Sequence, residues 1–287
     1  MTTIADFQVL YRLSSPSARK PQCAHEEIER AFDGERCRFL GSGSFGETWR
    51  IGDDFAAKII VNDLFPAERI EREIEAARVD HPNIVHLEEV REIGLAGERR
   101  VALLFGFVKG TDLASKITSE GYVKDETQLR GLAVGVFSGL AAMNTKRVIH
   151  RDIKPENIQL RMGTVARPVI LDLGLAHVAD LSSLTRYPSA LGTTAFMPPE
   201  VLRGEHAVAR SDVFAAGVTL FIAATGKHPW LEDGKQVTNV EYAAMIAGGP
   251  PETELYDEEL DVLIRDTLHR QAFRRPTAAR SIERLSR

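Results

Sequence analysis

The hydrophobic pattern of this chain changes period once, at Lys109-Gly110-Thr111, and no other feature constrains the fold as strongly. Between Cys37 and Val108 the apolar residues fall in short β-rich runs (CRFLG, ETWRI, DFAAKII, IVHLEEV and RRVALLFGFV) separated by turn residues. One stretch inside this region, residues 67–79, instead carries Ile70, Ile74 and Ala77 at helical spacing. Beyond the linker the spacing turns helical, over 127–145, 207–224, 241–247, 258–268 and 277–285. The pattern predicts an α+β chain of two lobes. The smaller, residues 36–108, is β-rich with one main helix; the larger, residues 109–287, is α-helical, and together they form one domain over 36–287. Residues 1–35 precede it as an extension of unassigned role, with a short helix expected at 25–32, where Ile28 and Phe32 lie four apart.

Composition narrows the function classes. With 287 residues, 44% of them hydrophobic, the chain can bury a sizeable core, and 36 basic against 41 acidic residues argue against a partner recruited by bulk positive charge, nucleic acid above all. Two cysteines, Cys23 and Cys37, supply neither a disulfide framework nor a zinc site with ligand spacing, which fits a reducing cytoplasm. The longest apolar run, residues 213–225, is too short to span a bilayer and reads as a buried helix. The N-terminus lacks a basic region followed by an apolar one, so neither export nor membrane attachment is expected.

The first chemical signal is Gly41-Ser42-Gly43-Ser44-Phe45-Gly46, a glycine spacing shared by three nucleotide-binding architectures. In a dinucleotide fold these glycines open a helix, but here a strand-like run, Gly52-Asp53-Asp54 and a second strand-like run follow. In a Walker loop a lysine should stand at position 47, where Glu47 would repel phosphates. A β-hairpin whose glycines let backbone N–H groups approach a triphosphate survives both tests, beside the plain reading of a loop without a ligand.

The segment Val148-Ile149-His150-Arg151-Asp152-Ile153-Lys154-Pro155-Glu156-Asn157 resembles the catalytic loop of eukaryotic-type (Hanks-type) serine/threonine protein kinases. The resemblance implies a bilobal protein-kinase fold, transfer of the γ-phosphoryl of Mg-ATP to Ser/Thr hydroxyls of protein substrates, and autophosphorylation of the activation loop. It makes Asp152 the base that orients the acceptor hydroxyl, Lys154 the cation facing the transferring phosphoryl, and Asn157 with Asp172 of Asp172-Leu173-Gly174 the oxygen ligands of Mg²⁺, or alternatively Mn²⁺. Lys58 in Phe55-Ala56-Ala57-Lys58 would meet the α- and β-phosphates and be held by Glu73, with Glu71 and Glu75 as alternatives on the same helix.

Around the nucleotide the same resemblance places Gly41, Ser42, Gly43, Ser44, Phe45 and Gly46 over the phosphates, Thr48 and Ala56 above the base, and Gln159 below it. Phe105 takes the gatekeeper position, Gly106 and Val108 the hinge, and Asp112 reaches the ribose or a basic substrate residue. Thr48 and Gln159 stand where apolar residues are usual, and polar atoms against a base face need another partner. Asp212 would brace the catalytic loop and Arg275 would pair with Glu200, at the end of Gly192-Thr193-Thr194-Ala195-Phe196-Met197-Pro198-Pro199-Glu200.

For regulation, Arg151 and His177 are the expected receivers of an activation-loop phosphate, on Ser189 first and Thr185 or Ser183 next. Glu156 implies a weak preference for a basic residue near the acceptor, and the surface near Ala190, Thr194 and Met197 an apolar residue just after it. A separate regulator is compatible with the sequence. A pseudokinase or scaffold, and a small-molecule kinase of the related fold, remain alternative functions.

Overall fold

In the computed structural model, residues 8–10, 20–42, 46–61, 70–71, 74–75, 77–173, 177–178 and 193–286 are described; of 8–10, 177–178 and 193, only the backbone is. The chain begins with a short strand, β1 (Gln8–Leu10), whose partner lies far along the sequence. Helix α1 (His25–Ala31) follows, with Glu26 and Glu27 in its first turn and Arg30 in its last, signs that suit the helix dipole.

The small lobe is a five-stranded antiparallel sheet built from β2 (Cys37–Ser42), β3 (Gly46–Ile51), β4 (Phe55–Ile60), β5 (Leu87–Leu95) and β6 (Glu98–Gly106), in the spatial order β2-β3-β4-β6-β5. Strand alternation sorts its two faces. Trp49, Ala57 and Ile59, all fully buried, point to the outer face, where α1 covers them with Ile28 and Phe32. Thr48, Ala56 and Lys58 therefore line the inner face, toward the large lobe. Gly46 is required by packing: a Cβ there would lie 1.9 Å from the carbonyl oxygen of Ile59 on the next strand. The expected helix at 67–79 is helical at residues 70–71, 74–75 and 77; the rest of it lies outside the described residues.

One expected strand is shifted. The run at 84–90 pairs only from Leu87, because Ile84 and Val85 are used to join the lobes: Val85 N–H donates to the Ile170 carbonyl (2.9 Å) and Ile170 N–H to that of Asn83 (2.8 Å). Residues 107–109 then lead into β7 (Gly110–Asp112), where the sequence pattern changes period.

Helix α2 (Leu113–Glu120), which the apolar spacing did not reveal, is capped by Asp112. Helix α3 (Glu126–Thr145) is capped by Asp125, whose carboxylate accepts from Thr127 and Gln128 N–H. Next come β8 (Val148–Ile149), a 3-10 turn at Pro155–Asn157, β9 (Ile158–Arg161), β10 (Pro168–Ile170) and β11 (His177–Val178). Strand β9 lies between β7 and β10, and β11 pairs with β8. A 3-10 turn at Thr193–Phe196, α4 (Pro199–Leu202) and α5 (Ala209–Thr225) follow, then β12 (Gln236–Thr238), α6 (Asn239–Ala247), α7 (Glu258–Thr267) and α8 (Ala278–Leu285). Residues 211–224 of α5 are buried all round, as the long apolar run required, and this helix is the axis of the large-lobe core. No helix among the described residues is long and apolar enough to cross a membrane.

Candidate active site

Between the lobes, the chain from His150 to Asn157 forms an irregular loop whose polar groups are nearly all buried and satisfied. Asp212, at the start of α5 and 1% exposed, accepts the backbone N–H groups of His150 (2.7 Å) and Arg151 (2.8 Å) through its two oxygens. It braces the loop as the resemblance implies, and burial raises its pKa against the nearby His150. The His150 ring lies 2.9 Å from the Leu171 carbonyl and accepts the Asp152 N–H, which fixes its proton on Nε2. Arg151 takes a left-handed backbone, φ 69°, and Asp172 another, φ 55°. Such conformations persist where surrounding bonds over-determine them.

Asp152 projects from this loop with its carboxylate 8% exposed. Lys154 Nζ lies 3.0 and 2.8 Å from its two oxygens, and Asn157 Nδ2 donates both to its carboxylate (2.9 Å) and to its backbone carbonyl (2.8 Å). Burial raises the Asp152 pKa, and Lys154 opposes that shift. Burial alone would lower the Lys154 pKa, but the Asp152 carboxylate outweighs it and the net direction is upward. The result is a carboxylate more basic than usual beside a cation that stays protonated.

Facing this pair, Lys58 on β4 reaches Asp172 at 2.9 Å, an ion pair that joins the lobes. Glu73 lies outside the described residues, as do Gly43, Ser44 and Phe45 of the glycine-rich hairpin; Gly41, Ser42 and Gly46 flank them on adjacent strands. With Asn157 Nδ2 committed to Asp152, the oxygen of that amide is the atom left to turn toward Asp172. An amide oxygen and a half-exposed carboxylate form a hard donor set suited to a divalent cation such as Mg²⁺.

The base-binding side of the cleft resolves one oddity of the sequence. Gln159 on β9 donates from Nε2 to the Val108 carbonyl (3.2 Å), so its amide is tied to the hinge and is not left unpaired beneath a base. Phe105 is buried in the core that joins the lobes, and Phe107 N–H is taken by the Asp54 carbonyl (2.7 Å), which leaves Gly106 and Val108 as the hinge residues nearest the cleft. Asp112 is committed elsewhere than to a ligand: its oxygens accept Ser115 N–H (2.7 Å) and Ser115 Oγ–H (2.6 Å) as the cap of α2. The signal for this cap, Asp-x-x-Ser, was present in the sequence.

Below the catalytic loop, Glu200 and Arg275 form the expected pair, bidentate at 2.7 and 2.8 Å and almost fully buried. Ser211 Oγ–H adds a bond to Glu200 (2.8 Å), and Arg275 also donates to the carbonyls of His269 and Arg210 and stacks over Phe214 at 4.8 Å. Sequence reasoning missed a second support. His228 and Tyr242 both hold the Ala195 carbonyl in the turn Thr193–Phe196, His228 at 2.9 Å, while His228 Nδ1 accepts the N–H groups of Trp230 and Leu231. Burial drives the His228 pKa down to about 3.

Of the residues proposed for regulation, Ser183, Thr185 and Ser189 lie outside the described residues, and only the backbone of His177 is described, opposite Ile149. Arg151 is anchored by its backbone to Asp212.

The protein kinase domain family model matches residues 35–284. The chain is 30% identical over 255 residues to the probable serine/threonine-protein kinase PkwA of Thermomonospora curvata, covering 86% of this chain and 33% of that protein. It is 30% identical to the mouse serine/threonine-protein kinase Nek4, covering 86% of this chain and 31% of the relative, and 29% identical to PrkC of Bacillus subtilis, covering 74% and 33%. The chain thus spans about a third of the length of these relatives.

Proposed function

Because the chain belongs to the protein kinase family, we propose that it transfers the γ-phosphoryl group of Mg-ATP to serine or threonine hydroxyls of protein substrates. The observation that carries this reading is the buried Asp152 carboxylate held between Lys154 and Asn157 at hydrogen-bond distance, opposite the Lys58–Asp172 ion pair. In the reaction the acceptor oxygen bonds to the γ-phosphorus, the bond from that phosphorus to the β-bridging oxygen breaks, and ADP leaves with the bridging oxygen.

Asp152 orients the hydroxyl and takes its proton; its raised pKa strengthens it as a base, and Lys154 keeps it ionised at neutral pH. Lys154, protonated, faces the charge on the transferring group. Lys58 positions the α- and β-phosphates, and Asn157 and Asp172 would hold Mg²⁺, which when bound neutralises charge across the phosphates. The glycine-rich hairpin excludes water from above, and Gly106 and Val108 meet the base edge. Glu156 supports a basic residue near the acceptor: its Oε2 is buried without a hydrogen-bond partner and burial raises its pKa, so an arginine or lysine of the substrate would satisfy it.

The test is transfer from labelled Mg-ATP to a generic basic protein and to the chain itself, comparing wild type with Asp152→Asn. Label on Ser or Thr that disappears in the variant, while ATP still raises its melting temperature, is the expected result. Undiminished transfer in the variant would overturn the assignment of the base.

A further inference from the structure

The first described residues of the chain are not packed on the small lobe that they precede. Strand β1 runs antiparallel to β12 of the large lobe, with Gln8 opposite Thr238, Val9 opposite Val237 and Leu10 opposite Gln236. Together they make a two-stranded sheet, and β1 also packs against the turn Thr193–Phe196 and against α6. That turn contains Thr194, on the surface expected to receive the substrate residue after the acceptor, and its Ala195 carbonyl is fixed by His228 and Tyr242.

The same N-terminal arm is anchored a second time, on the other lobe. The backbone N–H groups of Gln22 and Cys23 donate to the carboxylate of Glu47, which also accepts the Trp49 indole N–H (3.1 Å). Glu47 is fully buried on β3, next to Gly46 of the nucleotide hairpin. The ten residues from Leu10 to Lys20 span at most about 36 Å fully extended, so the second anchor keeps β1 at high local concentration beside β12.

We propose that the edge of β12, with the adjoining turn Thr193–Phe196 and α6, is a strand-addition site for an extended peptide, and that the chain's own residues 8–10 fill it in competition with protein substrates. The proposal rests on the kinase reading for the identity of the competitor, and on backbone pairing alone for the site itself. Main-chain hydrogen bonds along a free strand edge suit an extended segment, and residues 8–10 occupy that edge beside the surface a phosphoacceptor segment must cross. Weak protein substrates would be excluded until the arm is displaced.

An antiparallel ladder supplies its own control. Hydrogen-bonded residue pairs alternate with non-bonded ones, and proline is tolerated on an edge strand where the N–H faces away. Gln8→Pro, Val9→Pro and Leu10→Pro, made singly in the full chain, must therefore release the arm at alternate positions: at 9 only, or at 8 and 10 but not at 9. The probe is a fluorescein-labelled synthetic peptide of residues 1–20, followed by anisotropy, a readout that requires no catalysis. The releasing variants are expected to bind it about tenfold more tightly than wild type, whose tethered strand outcompetes it.

The same variants are expected to show a several-fold lower KM for a protein substrate, with ATP-induced stabilisation unchanged. Equal peptide affinity in wild type and all three variants, or a scan without alternation, would overturn the site. Alternation in binding with an unchanged substrate KM would overturn the competition. Absence of transfer in every variant would count against the kinase reading, and the anisotropy scan would still decide the strand site.

Discussion

Lowering the pH from 7.5 to 5 is expected to weaken the fold through one histidine. His228 is 6% exposed, its two ring nitrogens are committed to backbone groups, and burial holds its pKa at about 3 against the usual 6.5. The folded protein therefore refuses a proton that the unfolded chain accepts. With the folded pKa depressed, the contribution is fully present above the unfolded pKa and is lost as the pH falls below 6.5, down to about 3.

At pH 5 the folded imidazole is still neutral, so the loss is set by the unfolded state. One and a half units below its pKa, at about 1.4 kcal/mol per unit, the loss is about 2 kcal/mol relative to pH 7.5. The assay is urea unfolding of wild type and His228→Gln at both pH values, in which the carboxylate contributions common to both proteins cancel. The variant is expected to be less stable at pH 7.5, through its lost packing and bonds to the Ala195 turn, with the gap narrowing by about 2 kcal/mol at pH 5. A gap that stays constant would show that His228 is not held neutral, and would refute the reasoning.

Three further outcomes follow from the geometry. Arg275→Ala strands the Glu200 carboxylate without its bidentate partner in a buried site and is expected to cost about 3–5 kcal/mol in chemical denaturation; a loss below about 1 kcal/mol would contradict the buried-pair assignment. Gly46→Ala places a methyl 1.9 Å from the Ile59 carbonyl, whereas Gly41→Ala meets nothing within 4 Å. The first is expected to lower stability by about 1–3 kcal/mol and the second by less than about 1, measured by thermal melting. Gln159→Leu removes an amide tied to the Val108 carbonyl and presents an apolar face to the base; titration calorimetry is expected to show ATP binding tighter by a few-fold, and weaker binding would remove Gln159 from the floor of the site.

Much of the site was legible because its chemistry resides in residue types at fixed spacing. Asp152, Lys154 and Asn157 stand within six consecutive positions, and no fold was needed to see that a base, a cation and an oxygen ligand come together there. The period change at 109–111 likewise followed from strands alternating every two residues and helices every 3.6. The eight-residue helix α2 was missed because its cap, Asp112, is a residue type that serves equally as a ligand, and only the bonds to Ser115 distinguish the two roles. The run at 84–90 misled because Ile84 and Val85 are apolar in order to join the lobes, a cause that lies outside their own segment.

The sequence alone determined the two-lobed α+β division and the residues able to perform phosphoryl transfer, since both depend on patterns within a few turns of chain. Tertiary structure alone decided the contacts between distant segments: Gln159 with the hinge at Val108, His228 with the turn at Ala195, and residues 8–10 with 236–238. Each of these satisfies a backbone group, and every residue but proline offers the same N–H and C=O. Which carbonyl or strand edge a given donor meets is fixed only when the core brings it within 3 Å, and no spacing in the sequence records that meeting.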